Sequence, residues 1–508
     1  MRAGARSDRP RRPHARPSAD LAPARRRLVR LAPRETARRE RRRSRRADRG
    51  WRGFSWAEVA SGGVPPGSWA DTATPASAFA SLCGGARHER RETGAAPLRY
   101  PRRVPADIAI VLSGGGARGA YEAGVVAGIV DVLAERKPKR APFSIFTGTS
   151  VGAINAAWLA AHADRPDMDV EGLLGHWREL QLGRHLSLDP LRFLAGPRLG
   201  RRLARWRGEG DERWGRSLLD PRALEELVET SVPYDRLHAN VARGHVRALM
   251  VAALEISTAR TTVFAELGPG ARYVPSKDPR RIGREARIDA RHVLASAAIP
   301  LLFPSRKIDD RYYADGGVRS NTPIAPAIRG GADKLVVISL LYPMASYAAP
   351  DTPEAAAHVA AYPSPVFLLG KVLNALLLDP VAYDLQVLER LNTLLRTLEE
   401  TLQPDEMERV RGVLTETRGV PYRELSTLVF RPSQNIGRLA HEHAVGAPAR
   451  NLSTFLVRQL ADLGADIDAD LLSFILFDGR FAAALSELGR GDAHARAAEI
   501  DAFFTSST

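Results

Sequence analysis

Ser150 stands at the centre of Gly148–Gly152 (GTSVG), a G-x-S-x-G pattern between an apolar run and a helix-like one. At a strand-to-helix turn of this kind the serine hydroxyl is lifted clear of the sheet as a nucleophile, and small neighbours such as Gly148 and Gly152 allow the sharp bend. Upstream, Gly114–Gly119 (GGGARG) also follows an apolar run and opens a helix-like one. Its backbone N–H groups lie at a helix start, where negative charge is stabilised. A nucleophile and an anion cradle in consecutive strand–helix units point to acyl transfer. Arg118, inside the first turn, suits an oxyanion or a substrate phosphate.

A serine hydrolase also needs a base. The usual α/β-hydrolase order is Ser, Asp or Glu, His, and His358, His441 and His443 do follow Ser150, but none has a strand-to-loop setting. Asp315-Gly316-Gly317 follows Tyr312-Tyr313 and precedes Val318–Pro323. An aspartate followed by two glycines lets backbone approach its carboxylate closely, although Asp-Gly-Gly alone is a common turn. GGGARG also matches the dinucleotide fingerprint G-x-G-x-x-G. That fingerprint wants an acidic residue at the end of the second strand. Here the serine elbow occupies that place, and Glu135 precedes the strand.

GGGARG, GTSVG and DGG, in this order, resemble the patatin-like phospholipase family, as does the Ala/Ser/Pro-rich Ala295–Pro304 (ASAAIPLLFP) ahead of the DGG. The resemblance spans about Asp107–Leu340. Phe430–Leu439 (FRPSQNIGRL) and Ser473–Gly479 (SFILFDG) resemble the helical C-terminal extension of bacterial members. The resemblance implies a three-layer α/β fold with a mainly parallel sheet. It also implies a Ser150–Asp315 dyad, with an oxyanion site bounded by Gly114, Gly115, Gly116, Arg118 and Gly119 and completed by the Val151 N–H. Gly316 and Gly317 would shape the aspartate loop. The implied activity is hydrolysis of lipid acyl esters, of phospholipase A or lysophospholipase type, through an acyl-enzyme, without metal or cofactor. An ordinary Ser–His–Asp esterase and an inactive lipid- or protein-binding scaffold remain as alternatives.

The elements that must position these residues follow from periodicity. Ile108–Leu112 and Phe143–Thr147 read as buried strands, each feeding a helix, over about Ala120–Arg136 and through about His162. Consecutive strand–helix units argue for a parallel sheet covered on both faces. Ala248–Leu254, Thr261–Phe264 and Leu335–Leu340 are further strand candidates, so residues 104–345 read as one catalytic α/β domain. Residues 346–508 read as mainly helical. Leu385, Leu388, Leu391, Leu395, Leu398 and Leu402 form one apolar stripe, expected to pack on the α/β domain.

The formal net charge of +16 is local. Residues 1–103 hold 26 arginines, no lysine and nine acidic residues, so they carry +17 and the remainder −1. Such composition buries too little apolar surface to offset chain entropy, so this leader reads as disordered. Specific nucleic-acid binding is therefore not expected of the body. The single cysteine, Cys83, excludes an intrachain disulfide. No secretory signal is evident, and Phe367–Leu378 is too short for a membrane span. The expectation is a cytoplasmic protein acting on a lipid ester, of undetermined oligomeric state. Its peripheral contact with an anionic membrane would run through Arg198–Arg207 (RLGRRLARWR) or, less favourably, Lys277–Arg291.

Overall fold

The computed structural model describes residues 106–181, 222–342, 379–446 and 470–506, with short pieces at 184, 187–188, 219–220 and between 368 and 375. The leader 1–103 and Arg198–Arg207 lie outside the described residues.

Nine strands form the main sheet: β1 (Ile108–Leu112), β2 (Ile145–Thr149), β3 (Ala248–Glu255), β4 (Arg260–Leu267), β5 (Arg281–Glu285), β6 (Arg306–Ile308), β7 (Arg311–Asp315), β8 (Lys334–Ile338) and β9 (Ser426–Phe430). The main path runs β9-β8-β1-β2-β3-β4-β5, and β7 pairs with both β3 and β6. From β9 through β3 every neighbouring pair is parallel. β1 is buried throughout. Ile108, Ile110 and Leu112 enter one core cluster while Ala109 and Val111 enter the other. This is the period-two alternation of a strand covered on both faces.

The predicted strand–helix units are present. β1 leads through a short 3-10 turn (Gly116–Arg118) into α1 (Gly119–Ala134), and β2 leads into α2 (Val151–Ala161). The helices α3 (Val170–Glu179), α4 (Arg222–Ser231) and α5 (Tyr234–Arg243) follow, then α6 (Ala290–Ser296), α7 (Gly317–Ser320) and α8 (Ile324–Arg329). The larger core holds α1, α2 and α3, and the smaller holds Ile324, Ala327 and Ile328 of α8. Helices on both faces of a mostly parallel sheet make the three-layer α/β arrangement that the strand–helix pattern implies.

The C-terminal region contains α9 (Asp379–Thr401), α10 (Pro404–Arg418), α11 (Ile436–Gly446), α12 (Asp470–Ile475), α13 (Gly479–His494) and α14 (Ala497–Thr505). Of the leucine stripe on α9, Leu385, Leu388 and Leu395 are buried, and the first two join the smaller core. The expected boundary at 345 needs correction, because β9 extends the main sheet by pairing in parallel with β8. Without it β8 would end the sheet on a row of unpaired backbone groups. β9 escapes a sequence reading because only Leu428 and Phe430 of its five residues are buried, too few to stand out among helices. α13 is tied to α1 by hydrogen bonds from Arg490 to Asp131 (2.6 and 2.9 Å) and from the Tyr121 hydroxyl to Asp492 (2.9 Å). Among the described residues no helix is long and apolar enough to cross a membrane.

Candidate active site

Strand register brings Ser150 and Asp315 together. β4 pairs with one edge of β3 over its full length, leaving the other edge to be shared. β2 runs parallel along that edge as far as Thr149 opposite Ala252. β7 runs antiparallel along the rest, with Asp315 opposite Ala253. The two strands meet end to end, and Ser150 and Asp315 are the residues at the junction.

Ser150 is 3% exposed and held at φ 57, ψ −127, a conformation disfavoured for any residue with a Cβ. Its N–H donates to Ser296 Oγ (2.8 Å), and that hydroxyl donates to the Ala252 carbonyl (2.6 Å). The same stretch anchors the acid: the Asp315 N–H donates to the Ala298 carbonyl (2.8 Å) and the Gly316 N–H to the Ser296 carbonyl (3.4 Å). Gly317 N–H donates to Asp315 Oδ1 (2.7 Å), fixing the carboxyl. Gly148 closes β2, and Gly152 sits where α2 crosses the end of β1. A Cβ on Gly152 would meet the Leu112 carbonyl oxygen at 2.5 Å, so only glycine permits that approach.

Asp315 is fully buried. Burial pushes its pKa up from 3.8 to about 7, against the smaller lowering effects of the Ser150 side chain and the Gly317 N–H. The Ser150 hydroxyl therefore lies within electrostatic reach. The contact is nevertheless loose, since Asp315 Oδ2 is buried without a formed hydrogen bond among the described residues.

The glycine turn differs from the sequence expectation at two positions. Gly114 is not a free donor: its N–H is taken by the Asn321 carbonyl (3.2 Å), while Asn321 Nδ2 donates back to the Gly114 carbonyl (3.0 Å). Arg118 does not serve as a solvent-facing anion ligand either. Its buried guanidinium donates to Ser473 Oγ (2.8 Å) and Asn374 Oδ1 (3.4 Å) and lies 4.3 Å from the centre of the Phe474 ring. It ties the turn to α12, a partner 355 residues away in sequence. Gly115 and Gly116 lead into the 3-10 turn, and Gly119 begins α1. Gly116 has φ +58, and a Cβ there would meet the Phe474 carbonyl oxygen at 2.1 Å. Val151 opens α2, where the first N–H groups have no intrahelical acceptor.

Below the turn lies a buried network that motif reading misses. Glu122 accepts from the Ser113 N–H (2.6 Å) and from Asn155 Nδ2 (3.0 Å). Trp177 Nε1 donates to Asn155 Oδ1 (3.1 Å). Burial pushes Glu122 well above the usual carboxylate range. Ser296, Asn321 and Glu122 bear no pattern of their own, and only the ASAAIP stretch hinted at the first.

Ser150 opens into a pocket of about 520 Å³ lined by Ile154, Leu224, Leu294, Ile299 and Phe303 among others. A second lobe of about 500 Å³, walled by Trp158, Leu173, Trp177 and Leu180, shares Val151, Ile154, Leu224, Val228 and Phe477 with the first. Val151, next to Ser150, thus lines both lobes. Among the described residues, no histidine lines the lobe that holds Ser150. His443 Nδ1 donates to the Leu439 carbonyl of its own helix (2.8 Å), and His292 Nδ1 donates to the Asp289 carboxylate (2.8 Å), both within local structure. Within Lys277–Arg291, Arg280 pairs with Asp278 and Arg291 with Asp289.

No curated protein matches this chain. Three solved structures show distant likeness, all at TM-scores too low to carry an argument. VipD from Legionella pneumophila is 16% identical at a TM-score of 0.27, covering 78% of this chain and 74% of VipD. Human GIVD cytosolic phospholipase A2, solved with methyl gamma-linolenyl fluorophosphonate, is 13% identical at 0.29; the match spans 78% of this chain and 58% of that one. The ExoU–SpcU complex from the Pseudomonas aeruginosa type III secretion system is 16% identical at 0.21, covering 74% and 75%. The model of the family described as "Patatin-like phospholipase" matches residues 110–328, from β1 through the serine elbow and the DGG turn to α8. By that match residues 110–328 form a patatin-like phospholipase domain.

Proposed function

We propose that this protein is a lipid acyl hydrolase in which Ser150 is the nucleophile and Asp315 its base. The observation that carries this reading is the end-to-end meeting of β2 and β7 along one edge of β3, which sets the buried Asp315 behind Ser150, a residue that itself lines a largely apolar pocket. Ser150 Oγ attacks the ester carbonyl while Asp315 Oδ2 accepts the hydroxyl proton. Negative charge then gathers on the former carbonyl oxygen. In this reading the N–H groups of Gly115, Gly116 and Val151 serve as the donors to that oxygen, with Gly114 in the same turn. Collapse breaks the bond to the alcohol, which takes the proton from Asp315 and leaves an acyl-enzyme on Ser150. Water then attacks, Asp315 again serves as base, and the fatty acid departs.

An aspartate near its ordinary pKa is too weak a base for this work. At about 7 it shares protons efficiently near neutrality. The buried, strained serine and the unpaired Oδ2 also suit a pair poised to tighten once substrate excludes water. A lipid ester reaches such a pocket from a membrane or micelle surface, so docking there is peripheral.

The test compares the full chain with Ser150→Ala and Asp315→Asn on p-nitrophenyl acyl esters of increasing chain length and on phospholipid vesicles. Activity in the wild type, lost in both folded variants, is the expected result. Full activity in Asp315→Asn would refute the dyad, and inactivity of the wild type on every ester would refute the hydrolase.

A further inference from the structure

The walls around Ser150 are apolar except at one place. Glu225 of α4 and Arg306 of β6 line the same lobe as Ser150 and form an ion pair with each other. Their side chains are 11% and 23% exposed, so both charges are largely withdrawn from water. Leu224, Val228, Leu294, Ile299 and Phe303 surround them. An ion pair set into an apolar wall gains little stability, since desolvation offsets much of the attraction, and well-packed apolar residues would do as well. Among the described residues the second lobe is lined by no carboxylate, lysine or arginine, and its polar side chains are His176 and Ser231. The two lobes thus differ in kind, one largely hydrocarbon and the other carrying one positive and one negative group, with Val151 lining both and Ser150 lining the charged one.

Resting on the hydrolase reading, we infer that Glu225 and Arg306 form a headgroup site that selects a zwitterionic phospholipid. With the ester at Ser150, the acyl chain fills the lobe walled by Trp158, Leu173 and Trp177. The polar end lies in the other lobe, where Arg306 donates to the phosphate and Glu225 faces the ammonium. A zwitterion replaces one internal ion pair with two intermolecular ones, so no buried charge is left uncompensated. An anionic headgroup satisfies Arg306 but leaves Glu225 desolvated beside a second negative charge, and a neutral glyceride reaches neither. The discrimination is thus built from repulsion as well as attraction.

The test separates binding from chemistry. Full-length Ser150→Ala protein is titrated calorimetrically with short-chain phosphatidylcholine, phosphatidylglycerol and diacylglycerol, each below its micelle concentration. Phosphatidylcholine is expected to bind tightest. Adding Glu225→Gln should lower the phosphatidylcholine-to-phosphatidylglycerol affinity ratio about tenfold, and adding Arg306→Gln should lower the phosphatidylcholine-to-diacylglycerol ratio by about as much. The exchange Glu225→Arg with Arg306→Glu keeps a pair in the wall and guards against loss of folding. It should retain more zwitterion preference than either single variant. Ratios unmoved in all three backgrounds, or a wild-type site with no preference for the zwitterion, would overturn the headgroup site. Because the readout is binding by a serine-less protein, selectivity can stand or fall independently of ester hydrolysis.

Discussion

Replacing Asp315 by asparagine should make the protein more stable, and increasingly so as pH rises. The buried carboxyl titrates near 7 in the folded chain against 3.8 for the free group. Its folded pKa is raised, so between these values the native state binds more protons than the unfolded one. Stability therefore falls as pH rises through that window and levels off above the folded pKa. At 1.36 kcal/mol per pKa unit, the carboxylate destabilises the fold by about 2 kcal/mol at pH 5 and about 4 kcal/mol at pH 8. Asparagine cannot ionise, keeps an oxygen for the Gly317 N–H, and removes this dependence. The stability gap between Asp315→Asn and wild type should thus widen by roughly 2–3 kcal/mol between pH 5 and pH 8. Glu122, also raised by burial, titrates in both proteins and cancels in the difference. Urea denaturation of both proteins at each half-unit of pH measures it. In the wild type kcat/KM on a neutral ester should rise with one ionisation near pH 7, when Asp315 becomes a carboxylate. A gap that stays constant with pH would refute both the buried-acid assignment and the base derived from it.

Three further substitutions probe the site. Ser150→Gly should abolish hydrolysis yet stabilise the fold by about 1 kcal/mol, because glycine adopts the turn's backbone angles without strain; Ser150→Ala should show no such gain in the same denaturation assay. Ser296→Ala removes the acceptor of the Ser150 N–H and should cost about 1–3 kcal/mol. It should also reduce kcat more than it raises KM, as steady-state kinetics would show. Gly116→Ala combines a positive φ with a collision at the Phe474 carbonyl. It should lower the melting temperature and the activity together, the loss of either without the other contradicting a turn seated on α12.

Much of this site is legible in the chain because its parts are contiguous. GTSVG lies where β2 becomes α2 and GGGARG where β1 becomes α1, each a local consequence of an apolar run broken by glycine. Asp315 stands out only in company, since its turn acquires meaning from the two motifs before it. Arg118 shows the limit. Its place in the turn suggested an anion ligand, whereas its partners Ser473 and Phe474 sit in a helix that no local pattern links to it. Ser296 has the same character, an unremarkable residue until the fold sets its hydroxyl between Ser150 and Ala252.

By itself the sequence determined the strand-to-helix turns, the serine at the second of them, the alternating burial of β1 and the inward stripe of α9. All of these depend on the order of neighbouring residues and the periods of helix and strand. Only the tertiary structure decided that β2 and β7 share an edge of β3, that β9 completes the sheet, that the pocket divides into two lobes, and that Asp315 is buried deeply enough to titrate near 7. Those features arise from segments far apart in the chain, and a carboxyl's pKa depends on the water and charge around it, which exist only after the chain has closed on itself.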